Sequence, residues 1–273
     1  MENSLGIQYN ESRMIQVGER VLKLAFLILT APYEPWKTLL KEGPQKTWAN
    51  REKLDSSHLA FGYVGKPLKG LRKKIENNIS IQEKTYFLKN RERLLEYSAK
   101  FSDYQTIQVP FYDTWNTMYE KFILSSRLLL ETFEFDFLVR VNTTTYVDVE
   151  SLMLWLSLHQ DVDYGGVQSK QKKFFSGWGI VFSRTALRRL VENANKTKII
   201  KSIYDDEIIG NAMSELGFVM SSIPSITFET SEAIKKLEIQ NSAPFMRMKF
   251  SQQGVRTDFQ SMQLLHQKYS KND

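Results

Sequence analysis

Two periods of hydrophobicity alternate along this chain. Residues 21–30 form an apolar, β-favouring run closed by Ala31-Pro32, and they predict a central strand buried on both faces. The next twenty residues carry a helical pattern broken at Gly43-Pro44. Residues 58–65, "HLAFGYVG", predict a second strand, and residues 104–110, "YQTIQVP", a third by alternation. The strongest helix spans 114–133, where Trp115, Met118, Phe122, Leu129 and Phe133 recur at three- and four-residue steps. A strand over 135–141 follows and ends in Asn142 and three consecutive threonines. Residues 148–158 read as a helix, with Asp148 or Asp161 as a cap or turn residue, 162–167 as a short strand, and 174–184 as a glycine-containing turn leading into a strand. An amphipathic helix comes next. A further helix begins at 205–207 with three acids, where the positive end of its dipole favours them, and closes at Gly217. A late strand is expected within 219–228.

Strands alternating with helices predict an α/β fold: a mixed, mostly parallel sheet flanked by helices, in a single domain over residues 20–273. Residues 1–19 are polar and expected to be loose. Residues 66–100 form a variable charged insert with a helical section at 92–100, and 230–273 a C-terminal helical segment. In such sheets ligands sit beyond the carboxyl ends of the strands. The polar tip at 142–145 lies there.

Composition narrows the chemistry. Of 273 residues, 42% are hydrophobic and 25% charged, which suits a folded globular chain rather than a disordered one. With no cysteine, a disulfide framework, a thiolate zinc site and a thiol nucleophile are excluded, and a cytoplasmic location is expected. The apolar run near the start is far shorter than the ~20 residues a membrane span needs, so no integral membrane segment is expected. The net charge of +6 favours phosphate-bearing ligands or peripheral contact with an anionic membrane. Basic residues gather at Lys69, Arg72, Lys73 and Lys74 and at Lys170, Lys172 and Lys173, but no nucleic-acid motif accompanies them.

Several segments, in order, resemble the Fringe-like β-1,3-glycosyltransferases, a galactosyltransferase-type family with a GT-A fold. The opening strand is similar, and Lys41, Thr47 and Trp48 match a later R-x-A-I-R-x-T-W segment. Asp113, Thr114 and Lys121 fit D-[ST]-Y-x-N-L-T-x-K-T, with Trp115 as an aromatic replacement. "FLVRVNTTTYVD" falls without a gap on F-x-x-K-x-D-D-D-x-F-V-[ND]. "FFSGWGIVFSR" resembles Y-x-S-G-x-G-Y-V-x-S, and "YDDEIIGNAMSELGF" resembles [ED]-D-x-x-x-G-x-x-x-x-x-L-G. The resemblance covers roughly residues 20–220. It implies transfer of a sugar, with inversion, from a nucleotide-sugar donor such as a UDP-sugar to a carbohydrate acceptor. It makes Asp206 the catalytic base, beside Asp205, and Ser176, Gly177, Trp178 and Gly179 the wall of the sugar site.

One departure bears on the cofactor. The family holds Mn²⁺ or Mg²⁺ with the D-D-D aspartates, but Asn142, Thr143 and Thr144 stand at those positions. Hard divalent cations need anionic oxygens, so no metal residues are assigned. The neutral groups can still hydrogen-bond ribose or phosphate. Three readings stay open: cations such as Arg140, Lys121, Lys172 and Lys173 replace the metal; Asp148 or a distant acid rebuilds its site; or catalysis is lost and a binding or scaffolding module remains. Of His58, His159 and His266, the last is placed late enough to match a family metal ligand, but its context predicts the surface of a C-terminal helix.

Overall fold

The computed structural model describes residues 22–67, 91–170, 173–196, 204–238, 243–252 and 255–270. The N-terminal segment 1–19, the lysine and arginine cluster at 69–74, most of the charged insert and Lys172 lie outside them.

The fold is a mixed α/β arrangement around an eight-stranded sheet in the order β3-β4-β2-β1-β5-β8-β7-β9. Its centre is parallel: β1 (Leu24–Leu29) lies between β2 (Leu59–Lys66) and β5 (Phe137–Asn142), and β2 pairs with β4 (Thr106–Tyr112). β8 (Phe175–Ser183) runs antiparallel to both β5 and β7 (Tyr164–Gln168), β3 (Lys100–Asp103) closes one edge antiparallel, and β9 (Ser221–Ser222) closes the other.

The continuous apolar character of β1 has a direct cause, since a strand covered on both faces needs apolar side chains at every position. Leu24, Phe26 and Ile28 enter one core, together with Phe137, Val139 and Val141 of β5. Ala25 and Leu27 enter the other, together with Leu138. The helices Met118–Thr132, Arg184–Glu192 and Asp205–Glu215 supply Phe122, Ile123, Leu187, Leu190 and Ile209 to the second core. Each such side chain stabilises the fold by roughly 1.5–3 kcal/mol relative to exposure.

The first face is covered partly by a small second sheet of order β10-β11-β6, where β6 is Thr145–Val147, β10 Ser225–Phe228 and β11 Phe245–Met248. The helices Val149–Leu158 and Asp258–Tyr269 complete that cover through Leu152, Leu156, Met262 and Leu265.

Most expected elements appear, with corrections. The helix expected at 92–100 ends at Leu95, and Lys100 already belongs to β3. The strand at 104–110 runs through Pro110 to Tyr112, on the side of the sheet near its edge. The segment 230–273 is not wholly helical: β11 and a small hairpin, β12 (Ser251–Gln252) with β13 (Val255–Arg256), separate its helices. The late strand divides between two sheets as β9 and β10.

Two helix ends follow their sequence signals. Asp148 accepts from the Ser151 N–H at 3.1 Å and from its hydroxyl at 2.8 Å, which satisfies an N–H group that the first turn leaves unpaired. Asp148→Ala should therefore lower stability by about 1 kcal/mol, read as a shift in urea midpoint with an unchanged slope. At the other end of the acidic helix, Gly217 has φ +81°. Its N–H reaches Ser214 O and that of Phe218 reaches Met213 O, both at 3.0 Å. This is a Schellman closure, which glycine adopts without steric cost.

Candidate functional site

A cavity of about 520 Å³ opens beyond the carboxyl ends of β1 and β5. Thr30 and Ala31 follow β1 into its wall, and Asn142, Thr143 and Thr144 follow β5. The polar tip is a tight reversal into β6. The Thr144 carbonyl accepts from the Met248 N–H at 2.9 Å, and Thr145 donates its hydroxyl to Trp178 O at 2.9 Å. Trp48 donates its indole N–H to Thr145 O at 3.0 Å. Thr145 is thus fully engaged in holding the turn. Asn142 Oδ1 and Thr143 Oγ1 are different, being buried atoms at the cavity wall without a hydrogen-bond partner among the described residues.

The floor is built by Asp113 and Lys121. Lys121 Nζ lies 2.9 Å from both Asp113 carboxylate oxygens and 2.9 Å from Thr30 O, while Asp113 also accepts from the Gly65 N–H at 2.7 Å. The pair ties the ends of β1, β2 and β4 to the Met118–Thr132 helix. Both residues are buried, so Lys121, expected among the cations that could face phosphate, is neutralised by its own neighbour.

Arg140 has a similar fate. Alternation along β5 turns it toward the helical face with Leu138, where it is 1% exposed. Its guanidinium meets Asp205 at 2.5 Å and donates to Gly177 O. Burial is the largest influence and opposes the guanidinium's charge, but Asp205, Tyr63 and Asp206 together outweigh it, and the group is held charged more firmly than an ordinary arginine. The expectation of Arg140 at a donor phosphate is therefore corrected to an internal ion pair with Asp205. A Cβ at Gly177 would lie 1.9 Å from Arg140 Nη1, so this position must be glycine for the guanidinium to fit.

Ser176, Gly177, Trp178 and Gly179 are part of β8 rather than of a turn before it. None of the four lines the cavity. Trp178 is buried, and a Cβ at Gly179 would crowd Val167 and Phe245, which explains the small residue there by packing.

The neighbouring acids have divergent surroundings. Asp205 is closed in by Arg140. Asp206 is partly exposed, and its Oδ2 accepts from the Gly177 N–H at 2.9 Å while Oδ1 accepts from the Glu207 N–H at 3.0 Å. Burial, then the charge of Asp205, raise the Asp206 carboxyl above its ordinary range, with Arg140 and the two N–H groups opposing. A carboxyl with raised proton affinity at a cleft is a candidate for acid–base chemistry. Asp206 does not itself line the cavity. Tyr204 does, two residues before it, and the cavity's Arg247 feels the charge of Asp206.

The basic part of the wall, next to the polar tip, was not anticipated. It carries Arg247, Lys249 and Arg256, with the aromatic rings of Tyr33, Trp36 and Trp115 nearby. Arg247 lies over the Trp178 ring at 5.7 Å, and Arg256 over Trp36 at 5.5 Å while pairing with Asp258 at 2.6 Å. The signal was present in "FMRMKF", 245–250, where Met246 and Met248 alternate with Arg247 and Lys249. A period of two puts both cations on one strand face.

These residues do not fit a divalent cation. The tip offers neutral oxygens, Asp113 and Asp205 are neutralised by Lys121 and Arg140, and Asp148 caps a helix. Among the described residues no three His, Asp or Glu side chains gather as a metal's ligands would. His266 is drawn instead to the Tyr146 hydroxyl, with Nδ1 at 3.1 Å. Lys173 is exposed and stands outside the cavity. No described helix is long and apolar enough to cross a membrane.

No protein-family model matches the chain, and no curated protein does. Solved structures similar to it include a cytidylyltransferase from Leptospira borgpetersenii, at 15% identity over 75% of this chain and 76% of that one, with a TM-score of 0.38. A mannosyltransferase from Pyrobaculum calidifontis in complex with GDP-Man and Mn²⁺ shares 12% identity over 74% of this chain and 55% of that one, with a TM-score of 0.39. An active-site mutant of LgtC shares 10% identity over 90% of this chain and 96% of that one, with a TM-score of 0.47.

Proposed function

We propose that this chain is a GT-A-type, Fringe-like glycosyltransferase that moves a sugar from a nucleotide-sugar donor to a carbohydrate hydroxyl with inversion and without a divalent metal. One observation carries the reading. Asn142, Thr143 and Thr144, which align with the family's strand end, line the cavity together with Tyr204, two residues before the aligned acid Asp206, whose charge the cavity's Arg247 feels and whose proton affinity burial raises.

Asp206 takes the proton from the acceptor hydroxyl as its oxygen attacks the anomeric carbon. The bond from that carbon to the donor's phosphate oxygen breaks, and the nucleoside diphosphate leaves with the bonding pair. Attack opposite the leaving group inverts the anomeric configuration. The Gly177 N–H bond fixes Asp206, and Arg140 pairs with the neighbouring Asp205. The cavity's aromatic rings offer faces on which a nucleobase or a sugar can stack.

The test is release of free nucleotide from a panel of UDP-, GDP-, ADP- and CMP-sugars, with candidate glycan acceptors, in Mn²⁺ or in EDTA. Release that survives EDTA and depends on acceptor is expected. Donor binding without turnover for any acceptor would assign the chain to a non-catalytic module instead, and absence of donor binding would overturn the site.

A further inference from the structure

We infer that Arg247, Lys249 and Arg256 form a metal-free clamp for a diphosphate, completed by the side-chain amide N–H of Asn142 and the hydroxyl of Thr143. This deepens the glycosyltransferase reading and takes the donor class from it, but its geometry stands apart from the chemistry at Asp206.

Two cations on the cavity wall are left without a counterion among the described residues. Of the four cations on the cavity wall, Lys121 is neutralised by Asp113 and Arg256 is shared with Asp258. Arg247 and Lys249 have no salt-bridge partner among the described residues. Arg247 is half-buried, its Nε is buried without a hydrogen-bond partner, and its plane lies over Trp178. Burial, then repulsion from Arg256, lower its affinity for its own proton, so the folded chain holds this charge at a cost. An anion in the cavity relieves that cost, and a guanidinium presents the planar fork that phosphate oxygens accept from in pairs.

A diphosphate suits the site better than a single phosphate or a carboxylate. Several cations converge on a space of about 520 Å³, within the range of small-molecule sites. Beside them at the strand tip, where β11 pairs with β6, Asn142 and Thr143 bring an amide and a hydroxyl, which donate hydrogen bonds to phosphate or ribose oxygens without adding negative charge. Aspartates at these two positions would repel a diphosphate unless a metal stood between them. Cations and neutral donors lining one cavity remove the need for that metal.

The experiment is calorimetric titration of the full chain with UDP, GDP, ADP and inorganic pyrophosphate, in EDTA and again with Mn²⁺. Binding of at least one nucleoside diphosphate in EDTA is expected, with affinity changed less than about threefold by Mn²⁺. Arg247→Gln and Lys249→Gln should each weaken it about tenfold or more and flatten its salt dependence, and Lys173→Gln should leave it unchanged. Because Arg247 packs on Trp178, thermal melting checks its variants. Lys249 is exposed, so its substitution tests the clamp even if Arg247→Gln fails to fold. Binding seen only with Mn²⁺, or binding unaltered in Lys249→Gln, overturns the clamp. Diphosphate binding in EDTA without sugar transfer upholds the clamp and defeats the transferase reading, while transfer that needs Mn²⁺ does the reverse.

Discussion

Asp206→Asn is expected to cut turnover by about 10²- to 10⁴-fold, the ordinary worth of a positioned general base, while raising the thermal midpoint at neutral pH. The two effects have one origin. Burial and the charge of Asp205 make the folded chain prefer a protonated Asp206. Between the ordinary carboxylate value of 3.8 and the raised folded value, the native state binds more protons than the unfolded chain, so stability falls as pH rises through that window. Above it, the folded protein carries an ionised group its surroundings disfavour. Asparagine is uncharged and its carbonyl oxygen can still accept from Gly177, so the variant escapes the penalty at pH 7 and gains little below pH 4. Melting curves across pH, beside initial rates of nucleotide release, measure both quantities on one preparation. A variant as active as the parent removes Asp206 from the chemistry. A variant less stable than the parent at pH 7 contradicts the electrostatic account.

The second large effect concerns stability. Arg140→Met leaves the Asp205 carboxylate enclosed without its cation, and Asp205→Asn leaves the guanidinium enclosed without its anion. Each should cost about 3–5 kcal/mol, because removing one member of a buried pair strands the other. The double variant Arg140→Met, Asp205→Asn strands neither charge. Its loss should fall short of the summed single losses by about 0.5–3 kcal/mol, measured by urea unfolding with equal slopes. Additivity within ~0.5 kcal/mol would mean the two side chains do not depend on each other.

The sheet was legible where burial dictates composition. β1 reads as apolar at every position because both of its faces are covered, whereas the helix expected over 114–133 begins at Met118 and is buried all round over residues 118–126, between the sheet and the helices Arg184–Glu192 and Asp205–Glu215. Asp148 and Gly217 declared their helix ends through local hydrogen bonding and φ. Arg140 was not legible. An arginine after an apolar run could face solvent, a ligand or the core, and only the arrival of Asp205, 65 residues later, decides among them. The glycines of β8 misled for a related reason: small residues suggest a turn, but here they admit a guanidinium and a phenyl ring from other strands. Arg247 and Lys249 were not legible because cations alternating with methionines do not say what the segment borders, and only the pairing of β11 with β6 brings them to the tip.

The pairing of β11 with β6 has a consequence for biosynthesis. Every strand of the large sheet, and the tip at 142–145, lies before residue 223 in the chain. The segment that brings Arg247, Lys249 and Arg256 follows it, and reaches the tip through the Met248 N–H on the Thr144 carbonyl. A nascent chain therefore makes the residues of its scaffold before those that give it affinity for anions.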